Sequence, residues 1–339
     1  MKLPKVSLLL VVRNEEKYIG RCLESYLKQD YPPELLEVIA VDGLSEDRTK
    51  EIIEQWKPRF KEKGIQFILL DNPKKILATG WNMAIKRATG EYVCRIDGHS
   101  TINPFYIITG IKTITDKKNE DVAAVGGWYK HIGEGWFARI VCELYENRFA
   151  VGNSPFRHQP KQVRDTDTAV YAVYRKSIIV KAGLFDEKLV RNQDIALHKK
   201  IQAQGYRFLT HPEMPINYYV RSNILKLLRK AFGDGMWITL SNAAYFRHKI
   251  PFYFVCYLIL FPFLFFFSII DKFPFLTFLL SAPIVSYLLL LIYFSMKANN
   301  NSGKVGLLFL IPLYHITYGT GSMVGFLRSK LGFFRNMSI

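Results

Sequence analysis

The sequence predicts an α/β domain with a mostly parallel sheet, followed by C-terminal transmembrane helices. Four short apolar runs alternate with helix-length amphipathic segments in the first 100 residues, which is the pattern of repeated βα units. Crossovers of this length join parallel strands with a right-handed turn. Two long stretches without a charged residue follow residue 250, and each is long enough to cross a bilayer.

Each predicted strand is an uninterrupted apolar run, typical of a parallel strand that is covered on both faces. The four runs are Val6–Val12, Leu36–Val41, Ile65–Leu70 and Tyr92–Ile96. The segments between them predict helices that begin with Asn14 as N-cap, run from Ser45 to Phe60, and span Ile76–Ala88. The apolar start of the chain is short and lacks a small-residue cleavage site, so we interpret it as a strand and not as a signal peptide.

Polar side chains follow the end of every one of these strands. They are Asn14 and Glu15, Asp42, Asp71 and Asn72, and Asp97 and His99. The carboxyl ends of parallel strands share one edge of the sheet, where open α/β folds bind ligands. Asp97 and His99 also supply carboxylate and imidazole, two ligand types for a divalent cation. A polar turn between a strand and the next helix is the alternative interpretation of this pair.

The signatures of two other phosphate-binding folds are absent from the sequence. No G-x-G-x-x-G follows the first strand, and no G-x-x-x-x-G-K-[ST] occurs in the chain. A dinucleotide-binding fold or a P-loop needs one of these glycine-rich turns. The sequence therefore argues against both classes.

The predicted elements become less regular between residues 101 and 220. Strands are predicted over Val122–Gly127 and Ala169–Tyr174, and a helix over Glu134–Val151. The polar, basic segment Gly152–Thr168 is long enough to be a functional loop. A further helix, residues 191–204, places Asp194 in its first turn, where the helix dipole favours a carboxylate. Plain helix capping is the alternative role for Asp194.

The last third of the chain predicts membrane association. Spans at residues 252–270 and 273–296 form a hairpin, and a third segment at residues 305–327 is interrupted by Pro312 and His315. The third segment is predicted to be a membrane or re-entrant segment. Residues 223–250 contain a basic amphipathic helix suited to a membrane surface. The predicted division is therefore 1–222, 223–250 and 251–339, with the large domain on the cytoplasmic side by its excess of Lys and Arg.

The formal net charge of +17 requires an acidic partner, which can be nucleic acid, a phosphorylated small molecule or an anionic membrane surface. No block of consecutive basic residues is present, so a nucleic-acid-binding protein is disfavoured. The four cysteines are scattered and form no C-x-x-C pair, which favours a reducing compartment over a disulfide framework or a zinc site.

An ordered set of motifs between residues 4 and 210 resembles family 2 glycosyltransferases. The motifs are Arg13-Asn14-Glu15-Glu16, Val41-Asp42-Gly43-x-Ser45-x-Asp47-x-Thr49, Gly80-x-Asn82, Gly90-Glu91-Tyr92, Asp97-x-His99 and Gln193-Asp194. The C-terminal segments resemble those of succinoglycan-biosynthesis-type members. The resemblance implies a GT-A nucleotide-sugar-binding domain. It also implies inverting transfer from a UDP-sugar to a polyprenyl-linked saccharide, in exopolysaccharide or cell-surface glycan synthesis.

The resemblance also implies roles for individual residues. Those implied to bind the nucleotide sugar are Val12, Arg13, Glu15, Asp42 and Asp97. Lys75 is a further candidate for the same site, because its charge suits a diphosphate. Asp97 and His99 are implied to hold Mn²⁺ or Mg²⁺. His99 departs from the family's Asp-x-Asp motif, and imidazole favours Mn²⁺ over Mg²⁺.

Asp194 occupies the position of the family's catalytic base, and Gln193 replaces the Glu that precedes it. Inversion by direct displacement requires one carboxylate to take the proton of the acceptor hydroxyl. Weaker expectations on the acceptor side are Gly127, Gln193 and Arg221.

Two other functions compete with this interpretation. One is direct sugar transfer to a polyprenyl phosphate, and the other is a non-catalytic membrane protein that only binds a nucleotide sugar. The Gln-x-x-Arg-Trp motif of processive synthases is absent, which favours a single addition per acceptor. The expected location is the bacterial inner membrane, with the catalytic domain cytoplasmic and anionic lipid as a further partner.

Overall fold

A computed structural model of the chain describes residues 2–220, 223–241 and 244–331. The chain divides into two compact units, Met1–Ile132 with Ser154–Tyr219, and Gly133–Asn153 with Val220–Ile339. This division is not contiguous along the chain, because residues 133–153 group with the C-terminal helices. The predicted boundaries at residues 222 and 250 leave residues 133–153 in the first domain.

The described residues of the first unit contain one sheet of nine strands. The strands are β1 (Val6–Val12), β2 (Leu36–Asp42), β3 (Gln66–Asp71), β4 (Tyr92–Arg95), β5 (Ser100–Ile102), β6 (Val122–Ile132), β7 (Arg164–Thr166), β8 (Val173–Arg175) and β9 (Arg207–Tyr219). Neighbouring strands β3, β2, β1 and β4 are parallel. β8 is antiparallel to β4 and β6, β6 is parallel to β9, and β5 and β7 are antiparallel to β9. The mostly parallel α/β sheet is therefore confirmed.

Helices cover both faces of this sheet. They are α1 (Ile19–Leu27), α2 (Thr49–Glu62), α3 (Leu77–Arg87), α4 (Tyr106–Ile114), α7 (Lys176–Lys181) and α8 (Gln193–Gln202). Leu8 and Leu10 of β1 belong to the core with α1, α2 and α4, whereas Leu9 and Val11 belong to the core with α3, α7 and α8. Successive side chains of a strand point to opposite faces, so a strand covered on both faces must be apolar throughout. This requirement explains the uninterrupted apolar runs in the sequence.

The first helix begins later than the sequence predicts. α1 starts at Ile19 with Tyr18 as its N-cap, so Asn14 does not cap it. Asn14 instead has a left-handed backbone conformation, with φ +56°, and its polar groups bond to the loop that follows β2. Asn14, which was predicted to cap a helix, therefore links the loop after β1 to the loop after β2.

Strand boundaries beyond residue 120 also differ from the prediction. β6 continues past the glycine pair to Ile132 because it pairs along its length with β9. β5 and β9 were not predicted; Pro212 and Pro215 interrupt the alternating pattern of β9, and the β6–β9 register shifts there. β8 covers only the end of the predicted strand, since Tyr171 has φ +46° just before it.

The second unit is helical in its described residues. Its helices are α5 (Trp136–Glu146), α6 (Arg148–Val151), α9 (Ile224–Leu240), α10 (Phe246–Ile270), α11 (Pro274–Met296) and α12 (Asn301–Lys330). The predicted single helix over Glu134–Val151 is divided at Asn147, whose side chain accepts the N–H groups of Phe149 and Ala150 and so caps α6. Within the described residues, α10, α11 and α12 are long and apolar enough to cross a membrane.

The third apolar segment is one continuous helix despite its two predicted interruptions. Pro312 lies inside α12 without ending it. His315 is satisfied within the same unit: Nε2 lies 3.0 Å from the Phe149 carbonyl and 2.9 Å from that of Ala150, and Nδ1 lies 3.1 Å from the Tyr287 hydroxyl. A polar side chain in an apolar helix needs such partners. The length of α12 is therefore sufficient for a third span.

Candidate active site

The carboxyl ends of β1, β2 and β3 stop in register at one edge of the sheet. Val12 pairs with Asp42, and Asp42 pairs with Asp71. β4 ends at Arg95, which pairs with Leu9 of β1, so the residues after Arg95 continue toward the same edge. The predicted convergence of these strand ends is confirmed, and the residues that follow them form the candidate site.

The loops after β1 and β2 are held together by main-chain hydrogen bonds to polar side chains. The N–H of Asn14 donates to Ser45 Oγ at 3.0 Å, and the N–H of Glu46 donates to Asn14 Oδ1 at 2.9 Å. The N–H of Glu15 donates to Thr49 Oγ1 at 2.7 Å. Arg13 lies on the same surface, 41% exposed, with Nη2 3.1 Å from Glu46 Oε1. These contacts give the loop after β1 a defined shape.

Asp42 is completely buried, and its carboxylate is occupied by the loop that follows it. Its Oδ2 accepts the N–H of Ser45 at 2.9 Å, and its Oδ1 accepts the Ser45 hydroxyl at 2.5 Å. The Gly43 N–H donates to the carbonyl of Val12 at 2.8 Å, which fixes the neighbouring strand end. A ligand that contacted the Asp42 carboxylate would compete with Ser45, so the direct effect of Asp42 is on the loop.

Asp97 and His99 are each oriented by a second side chain. The Tyr171 hydroxyl donates to Asp97 Oδ2 at 2.9 Å. His99 Nδ1 lies 3.0 Å from Glu15 Oε1, and both of these side chains are 12% exposed. When Nδ1 carries the proton and donates to Glu15, the lone pair of Nε2 is the one available to a ligand.

Tyrosine and histidine rings surround the Asp97–His99 turn. Tyr218 makes an edge contact with His99 at 5.0 Å between ring centroids, and Tyr129 lies 5.1 Å from Tyr218 and 5.6 Å from Tyr171. Burial raises the pKa of Tyr171, and the Asp97 charge raises it further, so the phenol stays protonated and donates. These rings and the Tyr171 hydroxyl lie around the half-buried Asp97 side chain.

Asp194 lies in the first turn of α8 and contacts Arg95. Its Oδ1 accepts the N–H of Ile195 at 2.9 Å, and its Oδ2 lies 3.4 Å from Arg95 Nη2. Burial alone would raise the pKa of the Asp194 carboxyl, but the Arg95 guanidinium, His198 and the Ile195 N–H together outweigh burial and hold that pKa below the ordinary value. The Asp194 side chain is 27% exposed. An ionised carboxylate with an accessible face can accept a proton.

The remaining candidate residues occupy different surroundings. Gln193 is buried beside Asp194, and its Oε1 has no hydrogen-bond partner in the described part of the chain. Gly127 lies inside β6, where the Met214 carbonyl would collide with a Cβ, so sheet packing accounts for the glycine. Lys75 is exposed, with φ +58°. Arg221 lies outside the described residues.

A cluster of hydrogen bonds connects α3 to the loop that precedes α8. Asn82 Nδ2 donates to the Phe185 carbonyl at 2.9 Å and to Glu187 Oε1 at 3.1 Å, while Asn82 Oδ1 accepts the Phe185 N–H at 3.0 Å. Glu187 Oε2 also accepts from Lys74 Nζ at 3.0 Å and Thr79 Oγ1 at 3.2 Å. Hydrogen bonds from Asn82 and Lys74 lower the pKa of Glu187. This cluster fixes the approach to Asp194.

The donor set at Asp97 and His99 fits a divalent cation only as part of a coordination sphere. No group of three or more His, Cys, Asp or Glu side chains that could hold a metal is found among the residues that the structure describes. One carboxylate and one imidazole leave most positions for oxygens of a bound phosphate compound or water. The Tyr171 and Glu15 contacts are the kind of outer-shell support that metal ligands receive.

Two solved structures share the fold of this chain. The mannosyltransferase PcManGT from Pyrobaculum calidifontis, in complex with GDP-Man and Mn²⁺, superposes with a TM-score of 0.56 at 18% identity, over 97% of this chain and 88% of that one. GalNAc-T7 with UDP, GalNAc and Mn²⁺ has a TM-score of 0.52 at 14% identity, over 70% and 48%. The fold is therefore a GT-A-like glycosyltransferase fold.

Residues 7–182 match Glycosyl transferase family 2, and the chain belongs to this family. It is 28% identical over 233 residues, 68% of this chain and 71% of the relative, to a dolichyl N-acetyl-alpha-D-glucosaminyl phosphate 3-beta-D-2,3-diacetamido-2,3-dideoxy-beta-D-glucuronosyltransferase of Methanococcus voltae. It is 26% identical over 244 residues, 69% of each chain, to the succinoglycan biosynthesis protein ExoA of Rhizobium meliloti (strain 1021). The predicted family is confirmed.

Sequence reasoning did not identify several side chains that shape this site. Tyr171 lies in an apolar run that predicts a strand, and only its left-handed backbone conformation turns its hydroxyl toward Asp97. Tyr129 and Tyr218 lie on β6 and β9, and β9 was not predicted. Arg95 belongs to none of the motifs, although a charged residue inside a buried strand is itself an unusual signal.

Proposed function

We propose that this family 2 glycosyltransferase is an inverting enzyme that transfers one sugar from a UDP-sugar to a polyprenyl-linked saccharide. The observation that carries the proposal is the Arg95 bridge. Arg95 ends β4 two residues before Asp97, and its guanidinium contacts Asp194 on α8. Arg95 therefore pairs directly with the predicted base, and its charge also interacts with that of Asp97, the predicted metal-binding carboxylate.

The nucleotide side of the proposed site is the edge formed by the loops after β1 and β2. Val12, Arg13 and Glu15 are the residues that would contact the uridine, and Asp42 would act through the loop that it holds. Lys75 would add positive charge near the diphosphate. The solved relatives carry UDP in one case and GDP-Man in the other, so the choice of uridine is part of the proposal.

Asp97 and His99 are the residues that would hold a divalent cation, with Mn²⁺ favoured because imidazole is one of the two ligands. When bound, such an ion supplies electrostatic stabilisation of the leaving diphosphate. Tyr171 and Glu15 would keep the two ligands oriented. The Mn²⁺ in both solved relatives belongs to those proteins and supports the choice of metal here.

Asp194 would act as the general base. Its carboxylate is ionised at neutral pH because Arg95 holds the pKa of Asp194 low, and its exposed face can receive the acceptor hydroxyl. As Asp194 takes that proton, the acceptor oxygen would bond to the anomeric carbon on the face opposite the diphosphate, the bond from that carbon to the UDP oxygen would break, and the configuration would invert. Gln193 and Arg221 stay candidates for the acceptor side, together with Gly127 as a point of close backbone approach.

The acceptor proposal depends on the apolar helices of the second unit. A chain with helices long enough to span a membrane is suited to a substrate that is itself anchored in lipid. The named relatives include a dolichyl-linked glycan transferase and a succinoglycan biosynthesis protein. We propose the inner membrane of a bacterial cell, a cytoplasmic catalytic unit and attraction to anionic lipid, with one sugar added per acceptor.

The test is nucleotide release by the full-length protein in membranes, with a panel of UDP-sugars and GDP-mannose and with Mn²⁺ or Mg²⁺. Bacterial lipid extract supplies the acceptor. Asp97→Ala and Asp194→Asn are expected to lose roughly 10²- to 10⁴-fold of the activity, the range for a removed general acid–base group. Asp121→Ala and Asp165→Asn, whose exposed carboxylates pair with Arg207, are matched controls that keep full activity.

The outcomes distinguish the competing functions. Release from one UDP-sugar, lost in both site variants and accompanied by an inverted anomeric product, supports the proposal. Release only from GDP-mannose would replace the donor. Transfer to polyprenyl phosphate without a saccharide would replace the acceptor. Binding of UDP without release, even after a lipid-linked saccharide is added, would favour a non-catalytic nucleotide-sugar-binding protein.

A further inference from the structure

Arg95 is a buried cation without an ordinary structural set of hydrogen bonds. Arg95 is 8% exposed, and its Nε and Nη1 have no hydrogen-bond partner among the described residues. The guanidinium carbon lies 5.2 Å from the Trp81 ring centroid and 5.8 Å from that of Phe185. Two aromatic faces and the carboxylate of Asp194 therefore hold this charge.

A comparison with Arg175 shows how unusual this environment is. Arg175 Nε donates to the Val122 carbonyl at 3.0 Å, Nη1 donates to the Tyr92 hydroxyl at 3.1 Å, and Nη2 donates to the Ile114 carbonyl at 2.6 Å. Each of these bonds joins parts of the fold. The Arg95 guanidinium makes no such hydrogen bond to a carbonyl or hydroxyl among the described residues. Connecting parts of the fold is therefore not the role of its charge.

Burying a guanidinium is costly, and a buried ion pair can often be replaced by apolar residues without loss of stability. A methionine would pack against Trp81 and Phe185 and would avoid the unpartnered donors. The benefit of an arginine at this position must therefore come from its effect on a neighbour. The neighbour with which its guanidinium forms an ion pair is Asp194.

The contact geometry is suited to holding Asp194 without blocking it. Only one guanidinium nitrogen meets one carboxylate oxygen, at 3.4 Å, in place of a short two-pronged pair. The other oxygen accepts the N–H of Ile195, which fixes the carboxylate plane at the start of α8. Each oxygen therefore keeps a free lone pair while the side chain is held in one rotamer.

We propose that Arg95 is a positioning residue for Asp194, which aims its carboxylate and keeps it ionised for proton transfer, and that Arg95 does not itself bind the donor. This inference rests on the proposed base role of Asp194. The inference assigns a function to Arg95, which takes no part in the proposed nucleotide and metal contacts.

Other titratable groups also face Asp194. They are His198 from α8, Tyr174 from β8 and Tyr129 from β6, in addition to Arg95 from β4. Burial lowers the pKa of His198 to about 4, so its ring is neutral in the neutral range. Burial raises the pKa of both tyrosines, so neither changes charge there. Arg95 is therefore the partner of Asp194 that carries a charge at neutral pH within this set.

The experiment is the pH profile of kcat/KM for full-length protein in membranes, with the UDP-sugar and cation that give nucleotide release. Arg95→Met is expected to move the acid limb upward by about 1–3 pH units, the effect of removing an arginine beside an aspartate. It should also lower kcat at pH 7 by about tenfold or more through lost orientation. Arg95→Lys should restore part of both effects, and the affinity for UDP with Mn²⁺ should not change in either variant.

Two controls identify the group that titrates. Activity measured at pH 7 after exposure to each acidic pH separates titration from unfolding. In a His198→Gln background the shift caused by Arg95→Met must persist; its disappearance would assign the limb to His198 and overturn the proposal. Adding Arg95→Met to Asp194→Asn should cause no further loss, because the positioned group is already gone.

The failure of this inference differs from the failure of the proposed function. Full activity of Asp194→Asn would remove the base and with it the proposed mechanism. If Asp194→Asn is inactive but Arg95→Met keeps a normal kcat and an unchanged acid limb of the pH profile, only the positioning role of Arg95 is overturned. Loss of UDP affinity in both Arg95→Met and Arg95→Lys, with melting temperatures unchanged, would mean that Arg95 contacts the donor and would also overturn it.

Discussion

Tyr171 donates its phenolic hydrogen to Asp97 Oδ2 at 2.9 Å from a backbone position with φ +46°. A left-handed conformation at a bulky residue is uncommon and costs on the order of 1–3 kcal/mol. The Tyr171 carbonyl accepts the Tyr106 hydroxyl at 2.8 Å, and the Tyr171 hydroxyl accepts from Ser100 at 3.1 Å. The fold therefore holds a strained residue in place, with its hydroxyl directed at the predicted metal-binding carboxylate.

Tyr171→Phe keeps the ring but removes the hydrogen bond to the Asp97 carboxylate, together with the one that the hydroxyl accepts from Ser100. Such a bond contributes about 1.5–3 kcal/mol, and an outer-shell partner of a metal ligand about 10- to 100-fold in metal affinity. We expect the Mn²⁺ concentration for half-maximal nucleotide release to rise by about that factor. The measurement is a Mn²⁺ titration at saturating donor.

The matched control is Tyr31→Phe, which deletes the buried hydroxyl that donates to the Pro4 carbonyl just before β1. It should leave the Mn²⁺ titration unchanged. An equal weakening in both variants would mean that the loss is general destabilisation and not an effect on Asp97.

Asn82 fixes the loop before α8 through three hydrogen bonds to Phe185 and Glu187. Asn82→Ala breaks all three and leaves the buried Phe185 N–H and carbonyl without their partner. We expect a loss of about 2–4 kcal/mol in stability and faster amide hydrogen exchange over residues 183–192. Because Asp194 follows this loop, kcat should fall more than donor affinity.

Hydrogen exchange with mass-spectrometric detection and steady-state kinetics measure these two effects. Thr79→Val removes one 3.2 Å bond from the same cluster and should have a much smaller effect on both. Unchanged exchange over residues 183–192 in Asn82→Ala would contradict the proposed fixation of the loop.

Glu37 is a buried carboxylate at the opposite end of the sheet from the site. It accepts from Ser7 Oγ at 2.6 Å, from the N–H of Thr89 at 2.6 Å and from its hydroxyl at 2.8 Å, and it lies 3.4 Å from Lys5 Nζ. Burial alone would raise the pKa of Glu37, but these hydrogen bonds and the Lys5 charge hold it below the ordinary value. Glu37→Gln should lower stability by about 1.5–3 kcal/mol without changing kcat.

The pH dependence of the Glu37 effect has a defined sign. A carboxyl with a lower pKa in the folded state contributes stability above its unfolded pKa, about 4.3, and loses it as pH falls toward the folded value. The melting-temperature difference between wild type and Glu37→Gln should therefore be full at pH 7 and shrink below about pH 4. Glu54→Gln, at an exposed ion pair with Lys57, should show no difference at either pH.

Glycine allows close approach of α9 and α12 inside the second unit. A Cβ at Gly321 would collide with the Phe232 carbonyl, and one at Gly235 would collide with the Tyr318 carbonyl. Small residues of this kind let helices associate in an apolar environment. Gly321→Ala should cost about 1–3 kcal/mol or more through overpacking, seen as a lower melting temperature in detergent.

The control for this packing is Gly303→Ala at the start of α12. The nearest atoms to a Cβ there belong to side chains, with Ala298 Cβ at 3.2 Å, and these can shift by a few tenths of an ångström. A melting temperature for Gly321→Ala that equals that of Gly303→Ala would contradict a tight backbone contact between α9 and α12.

The strands of the first half of the sheet were predictable because burial on both faces leaves an unmistakable apolar run, as in β1 and β2. β9 was not predicted because two prolines interrupt its alternation and because its pairing partners lie 42 or more positions away. The apolar helices could also be predicted, since a candidate membrane span is recognised by its length and composition. Only the continuity of α12 through Pro312 needed the structure.

By itself, the sequence determined which side chains lie past the strand ends, because alternation of strand and helix brings those ends to one edge. It thereby identified Asp97 and His99 as candidates, and the family motifs added Asp194 in the first turn of a predicted helix. The tertiary structure decided their partners. Arg95 meets Asp194 across 99 positions, and Tyr171 meets Asp97 across 74, because the sheet joins distant segments, as in the antiparallel pairing of β4 with β8. Local pattern records burial and propensity, whereas partners depend on strand order and on the backbone conformation of single residues.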